Sequence, residues 1–345
     1  NFWRGKPKNL EGSLGSERFQ FRHADLISDD DWYFDMTSDD VVLHIADIVA
    51  GIGYVFNNEW GVFRKNILIN SKLSSVIRGR TPAKVIYLGT ACSYPQGMQR
   101  SVTGSVLSEG DKFPADPESG YGWSKLMGQI ELTLAVRGSA TKLITLDLHN
   151  VYGAPCEFKG GTAQVIPSLI RRAIECSKSG EPLSVWGNGH QGRAFVHVDD
   201  VTRAIQMAIG YQGDHSTFMI GPSECTTIRT VVDVIKQHPK INISEVVYDE
   251  TKPTGDIGRS ACADLAQKEL GWRPQVGFSL MHERTNLAII IPSFNDRRVI
   301  KAIRSARLFD DCDVVSVVVA DGGSSAELIA EISAELGPRD VLVSE

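Results

Sequence analysis

The sequence predicts an α/β protein built on a doubly wound parallel sheet. Short, nearly all-apolar runs alternate along its first half with longer stretches that carry apolar residues at helical spacing. The apolar runs are rich in Val, Ile and Leu, as strands covered on both faces are. No repeat, low-complexity tract or heptad pattern points to another architecture.

Residues 40–46 (DVVLHIA) read as a first buried parallel strand and residues 66–78 as a helix. Residues 83–89 (AKVIYLG) make a second buried strand, followed by a helix over 121–136. A third strand covers 142–148 and a further helix 165–176. Residues 193–198 open a more mixed region, punctuated by Gly and Pro, that runs to Trp272. A second unit opens at Leu287. It has an apolar strand over 287–292, an amphipathic helix over 299–308, a strand over 314–320 and the turn Asp321-Gly322-Gly323-Ser324. This is β-α-β again, with no evident linker before it, and it divides the chain into 1–286 and 287–345.

A length of 345 residues suits two domains, and 42% hydrophobic with 23% charged residues suits a globular chain. Lys and Arg number 36 against 42 Asp and Glu, a net charge of -6. That balance lacks the basic footprint of a nucleic-acid binder. The apolar runs at 287–291 and 314–320 are far too short for a membrane span. The six cysteines, at 92, 156, 176, 225, 262 and 312, form no C-x-x-C pair and no zinc spacing, so no metal is expected. They read as reduced thiols of a cytoplasmic protein. No signal segment opens the chain, and it begins with Asn1 rather than Met, a hint that residues precede it.

The sharpest motif is Tyr121-Gly122-Trp123-Ser124-Lys125. Residues four apart on a helix share a face, one turn apart. An ammonium beside a phenol favours the phenolate and draws the tyrosine pKa down from about 10. Such a tyrosine exchanges a proton with a sugar hydroxyl while hydride moves to or from a nicotinamide. Alone the motif is weak, since an exposed helix pair has the same spacing. Here it follows a strand ending Leu88-Gly89-Thr90-Ala91-Cys92, and Thr90 stands at the carboxyl edge where α/β sheets bind ligands. His197 reads as a core or structural residue, and Asp199 and Asp200 as a helix N-cap pair.

Further ordered stretches accompany the motif. They are His44-Ile-Ala-Asp47 with Gly51-Ile-Gly53, then Asn66, and Thr90-Ala-Cys-Ser-Tyr-Pro95. Residues 108–117 (SEGDKFPADP), His149-Asn-Val-Tyr-Gly153, Phe158-Lys-Gly-Gly161, residues 186–193 (WGNGHQGR), Val196-His-Val-Asp-Asp200 and Leu270-Gly-Trp-Arg-Pro274 follow. Over residues 1–286 the chain resembles the extended short-chain dehydrogenase/reductases, the NAD-dependent nucleotide-sugar epimerases and dehydratases, in their GDP-mannose-epimerase-like branch. The resemblance implies a Rossmann-type sheet with a smaller substrate-binding α/β subdomain, mainly 151–286. It implies Thr90, Tyr121 and Lys125 as the hydride-transfer set, with Tyr121 the acid/base. Asp25 and Leu26 would border the adenine, and His44 and Ala46 the cofactor's ribose and phosphates, with Asn66 and Lys125 beside them. Asn150, Arg193 and Arg259 would bind the nucleotide-sugar, a GDP-sugar by preference, since arginine suits a diphosphate. Asp25 also reads as a helix cap, and Arg193 as a surface ion pair. A homodimer through the helices carrying Asn66 and Tyr121 is implied too.

In 3,5-epimerases a cysteine two after the Ser/Thr shuttles a proton at a sugar carbon, and Cys92 stands there. Transient oxidation at C4 acidifies the neighbouring C–H groups. A thiol, with a free pKa of about 8.5, suits that task, though Cys92 equally suits simple packing. The family's lysine or histidine partner is replaced by Gln164, whose amide is neither acid nor base, and Lys159 is a substitute nearby. The family's arginine before Asn-Val-Tyr-Gly is replaced by Asp147. A 4,6-dehydratase would carry Asp-Glu after Thr90, where Ala91-Cys92 stands, so that dehydration is disfavoured.

The family's opening strand, G-x-x-G-x-x-G turn and helix find no counterpart, and residues 1–5 match the segment after its second strand. The sheet is thus expected to lack its first β-α-β, and the chain as given to bind NAD poorly and be inactive. NADP stays open, since Arg4 suits a 2′-phosphate. Residues 287–345 resemble the start of a family 2 glycosyltransferase, a partial GT-A-like β-α-β, through Ile289-Ile-Ile-Pro-Ser-Phe-Asn295 and residues 317–325. The competing readings are a nucleotide-sugar 4-reductase or dehydrogenase, and a catalytically impaired binding partner.

Overall fold

The structure is a computed structural model that describes residues 5–29, 33, 35–101, 106–278, 287–293, 315–321, 324–335 and 341–344. It divides into two compact units, Asn1–Phe278 and Ser279–Glu345.

The first unit opens with β1 (Val41–His44), α1 (Ile52–Asn57), α2 (Glu59–Arg80) and β2 (Lys84–Thr90). Then come β3 (Val106–Leu107), α3 (Gly120–Val136), β4 (Lys142–Leu148) and β5 (Asn150–Tyr152). After α4 (Val165–Ser179) run β6 (Leu183–Trp186), β7 (Gly192–Arg193), β8 (Phe195–His197), α5 (Val198–Gly210) and β9 (Thr217–Ile220). The last elements are β10 (Thr226–Thr227), α6 (Ile228–Lys236), β11 (Val246–Asp249) and β12 (Ser260–Ala261).

The main sheet has the order β1-β2-β4-β9, and every neighbouring pair is parallel. Its register sets Thr90 opposite Leu148 and Leu148 opposite Ile220, so the strands end together at one edge. Strand alternation sends the two faces of β2 into different cores. Val85 and Tyr87 pack with Leu73, Ile77 and Leu132 of α2 and α3. Ile86 packs with Ile144, Leu146, Val201, Ala204 and Trp272 on the α5 side. This is the doubly wound arrangement the apolar runs predict. β1 is an edge strand, and Val41 and Leu43 are exposed along it, with Ile45 exposed just past its end.

A smaller core gathers Ile166, Leu169, Ala173, Leu183, Val185, Val231 and Ile235, where α4 and α6 pack with the parallel pair β6 and β11. Lys84 is buried at the start of β2, where its ammonium donates to the carbonyls of Ala208, Ile209 and Tyr211 at 3.0, 2.6 and 2.7 Å. A cation there satisfies carbonyls at the carboxyl end of α5 that the helix leaves unpaired.

Several sequence expectations are corrected. The helix expected over 66–78 is Glu59–Arg80. Trp60, Gly61 and Phe63 are weak helix formers, and packing of the buried Val62 overrides them. The strand expected over 40–46 ends at His44. Residues 193–198 divide into β7 and β8, with α5 starting at Val198. Asp199 and Asp200 are not N-caps, since His197 holds that position and its ring accepts the Asp199 N–H. Asp200 lies inside the first turn, wholly buried, with its carboxylate on Arg203 and on the N–H groups of Gln275 and Val276.

The second unit holds β13 (Leu287–Ser293), β14 (Val315–Asp321), α7 (Ala326–Glu335) and β15 (Val341–Ser344). The strands are parallel in that order. The helix expected over 299–308, and Gly322 and Gly323 of the expected turn, lie outside the described residues. Among the described residues no helix is long and apolar enough to cross a membrane.

Candidate functional site

The site forms where β2 ends against the start of α3. Ser119 caps α3, its hydroxyl accepting the Gly122 N–H at 3.3 Å. Gly122 is needed there, because a Cβ would stand 2.1 Å from the Cys92 carbonyl oxygen. That close approach lays the first turn of α3 on residues 90–93. Thr90 accepts the Cys92 N–H at 3.2 Å, and its hydroxyl faces the Tyr121 phenol. The structure thus brings together Thr90, Cys92 and Tyr121.

The electrostatics of Tyr121 differ from the expectation. Burial pushes the phenol above its ordinary range, and the neighbouring Cys92 and Asp47 push it further. The Thr90 hydroxyl and Arg259 pull it partly back. The Lys125 ammonium is 3% exposed and ion-paired to Asp47, itself 2% exposed. The same ammonium lies 4.2 Å from the centre of the Tyr87 ring. The second Asp47 oxygen, Oδ1, is buried without a hydrogen-bond partner.

Beside Cys92 lies a buried arginine cluster. Arg259 donates from Nη1 to Asp256 at 2.7 Å and to Gln99 at 2.9 Å, and from Nη2 to the Cys92 sulfur at 3.2 Å and to Asn150 Oδ1 at 3.5 Å. Burial pulls its guanidinium down, but Cys92 and Asp256 outweigh that and hold it above its ordinary value. Arg193 is no surface ion pair. It is buried and donates to the main-chain carbonyls of Gly192 and Thr254 at 2.7 and 3.1 Å. Burial, then the like charge of Arg259, pushes it down to about 10. Glu118 completes the group. Its Oε2 and Arg193 Nη2 each lie 3.5 Å from where a Cβ on Gly255 would stand. Burial and Asp256 raise its carboxyl, while Arg193 and Arg259 oppose them. Two buried guanidiniums, with Arg259 Nε left without a partner, suit a phosphate-bearing ligand.

Other sequence candidates are placed differently. His44 is buried, with Nε2 2.8 Å from Asn70 Oδ1 and its ring stacked on Tyr87. Asn66 is fully buried, accepts the Ile48 N–H at 2.6 Å and donates to Ser124. It fixes the segment after β1, which carries Ala46 and Asp47. Asp25 accepts the Ile27 N–H at 2.9 Å, closing a turn that contains Leu26 rather than capping a helix. Lys159 is exposed, 5.8 Å from the ring of its neighbour Phe158, and no described contact brings it to Cys92. Gln164 precedes α4 and its carbonyl accepts from Ser168. Asp147 is balanced by Lys112 at 2.6 Å and by the Tyr94 hydroxyl at 2.9 Å. Among the described residues no three His, Cys, Asp or Glu side chains gather to hold a metal.

Asp47, Gln99, Glu118 and Asp256 are the site members that sequence reasoning does not single out. The i, i+3 spacing of Asp256 and Arg259 is the one sequence signal for them.

Known proteins share this fold. A sequence profile described as the NAD dependent epimerase/dehydratase family matches residues 3–221. GDP-mannose 3,5-epimerase of Arabidopsis thaliana is 23% identical over 237 residues, 69% of this chain and 61% of that protein. GDP-L-fucose synthase 1 of Arabidopsis thaliana is 29% identical over 195 residues, 56% of this chain and 59% of that protein. The chain thus spans about three-fifths of the length of the curated relatives it matches. Among solved structures, UDP-glucuronic acid 4-epimerase from Bacillus cereus, in complex with UDP-glucuronic acid and NAD, superposes with a TM-score of 0.64 at 22% identity, covering 79% of this chain and 82% of that one.

Proposed function

Because the chain belongs to the NAD dependent epimerase/dehydratase family, we propose that it serves NAD-dependent epimerisation of a nucleotide-sugar, a GDP-sugar by preference, through transient oxidation at C4. The observation that carries this reading is the gathering of Thr90, Cys92 and Tyr121 at the carboxyl edge of β2, with Arg259 donating to the Cys92 sulfur.

The residues present fit a nicotinamide cofactor. Lys125 and the unpartnered Oδ1 of Asp47 offer a donor and an acceptor, as a ribose diol requires. Ala46, on the segment that Asn66 fixes, lies next to Asp47. The cofactor, when bound, supplies a hydride acceptor and donor for C4. Tyr121 is the acid/base group at the C4 oxygen, with Thr90 orienting the same oxygen; oxidation needs its phenolate to take the C4 hydroxyl proton, and burial favours the phenol that gives it back. Cys92 moves a proton at the carbon next to C4, while Arg193, Arg259 and Asn150 hold the diphosphate and sugar. A phenol held protonated also suits proton donation to a sugar ketone, which favours a nucleotide-sugar 4-reductase as second reading. Met127, Ile130 and Leu134, exposed along α3, support a homodimer through that helix.

The test is incubation of GDP-mannose and NAD in deuterium oxide with this chain and with a form extended to the length of its relatives, read by NMR. Deuterium at C3 or C5 of the sugar, lost in Tyr121→Phe, is the expected result. Net consumption of reduced cofactor on a 4-keto sugar would favour the reductase, and unchanged rates in Tyr121→Phe would remove Tyr121 from the mechanism.

A further inference from the structure

Arg259 reaches the site from the segment before β12, and that segment is fixed. The Gln99 carbonyl accepts the N–H groups of Ile257 and Gly258 at 3.0 and 3.1 Å, and the Arg259 carbonyl accepts the Ala194 N–H at 3.1 Å. The guanidinium is fixed as well. Its Nη1 donates to Asp256 Oδ2 at 2.7 Å and to Gln99 Oε1 at 2.9 Å. Nη2 is thereby turned to the Cys92 sulfur at 3.2 Å, with Asn150 Oδ1 at 3.5 Å. Both Nη groups thus have protein partners, and only Nε of this guanidinium is without one. A fork engaged in this way serves the protein's own sulfur before any ligand.

We propose that Arg259 is a positioning residue for Cys92: it holds the sulfur in place and keeps a charged donor on it when its proton leaves. The meaning of this for turnover rests on the epimerase reading. There, after oxidation at C4, Cys92 gives its proton to the carbon next to C4. The electron pair of the enolate becomes the new C–H bond, and the S–H pair stays on sulfur, where Arg259 Nη2 already points. A charge-assisted hydrogen bond is stronger than a neutral one, and a donor already in place needs no reorganisation when charge forms. Arginine suits this task because it keeps its own proton. The other cations are engaged elsewhere. Lys159 is exposed and no described contact brings it to Cys92, and Arg193 directs Nη1 and Nη2 to the carbonyls of Gly192 and Thr254.

The experiment measures alkylation of Cys92 by peptide mass, at a pH of about 7, with neutral iodoacetamide and with anionic iodoacetate, both of which attack through the thiolate. Cys92 is half-buried, and the exposed Cys156 serves as internal reference. In the wild type Cys92 is expected to favour iodoacetate over iodoacetamide more than Cys156 does. In Arg259→Gln the Cys92 rate with iodoacetamide is expected to fall by about threefold or more, and the preference for the anion to vanish. Removing a purely structural arginine would loosen the site and raise both rates at Cys92. A rise, or no change, therefore overturns the inference. Should Arg259→Gln fail to fold, the wild type decides, because a Cys92 no more selective for the anion than Cys156 overturns it equally. Labelling uses neither cofactor nor nucleotide-sugar, so absence of turnover would sink the epimerase reading and leave this result standing.

Discussion

His149 illustrates how much one side chain carries. It is buried after β4, with Nε2 3.1 Å from the Met219 sulfur and Nδ1 unpaired. Burial, then the charge of Arg259, lowers its pKa from 6.5 to about 3. Between those values the unfolded chain binds a proton that the folded chain refuses, so stability falls as pH drops from 6.5 toward 3. From pH 7 to pH 5 this one group is expected to cost about 2 kcal/mol. His149→Gln should lose correspondingly less between the two pH values, as read from urea midpoints. An equal loss in both chains would show that the ring titrates normally.

At the scale of elements, the junction of β2 and α3 decides the site. Gly122→Ala places a methyl against the Cys92 carbonyl, a main-chain atom that cannot swing aside. Such overpacking costs about 1–3 kcal/mol. It also lifts Tyr121 from Thr90, so turnover should fall by more than the unfolded fraction accounts for, measured by urea unfolding beside activity. Intact turnover in a destabilised variant would show that the alignment tolerates the shift. The strands were legible because parallel strands covered on both faces read as continuous apolar runs, and 142–148 matches β4 at both ends. The first turns of α2 were not, because Trp60 and Gly61 look like loop until the packing of Val62 is known. The meeting of Thr90 with Tyr121 was legible because one ends an apolar strand and the other opens the helix after it, though their role rested on the family resemblance and not on spacing. Asp47 was hidden, because its meeting with Lys125 spans 78 residues and depends on the register of β1 on β2.

For the molecule as a whole, the outer face of α3 is the feature to test. Met127, Ile130 and Leu134 lie at helical spacing and are 43, 42 and 50% exposed. If that face joins two copies, Ile130→Lys with Leu134→Lys should convert a dimer to a monomer in sedimentation, with the far-ultraviolet spectrum unchanged. Equal sedimentation of both forms would place any self-association elsewhere.

The cradle around Lys84 gives the first unit an internal clock. Amine-reactive reagents reach surface lysines at once, but the Lys84 nitrogen is spent on three carbonyls at the end of α5. It becomes nucleophilic toward such a reagent only when that helix end lifts from the sheet. The rate of covalent labelling at Lys84, read by peptide mass, therefore counts openings of the layer that backs the strand ending at Thr90, one lysine reporting on a motion that leaves the average structure unchanged.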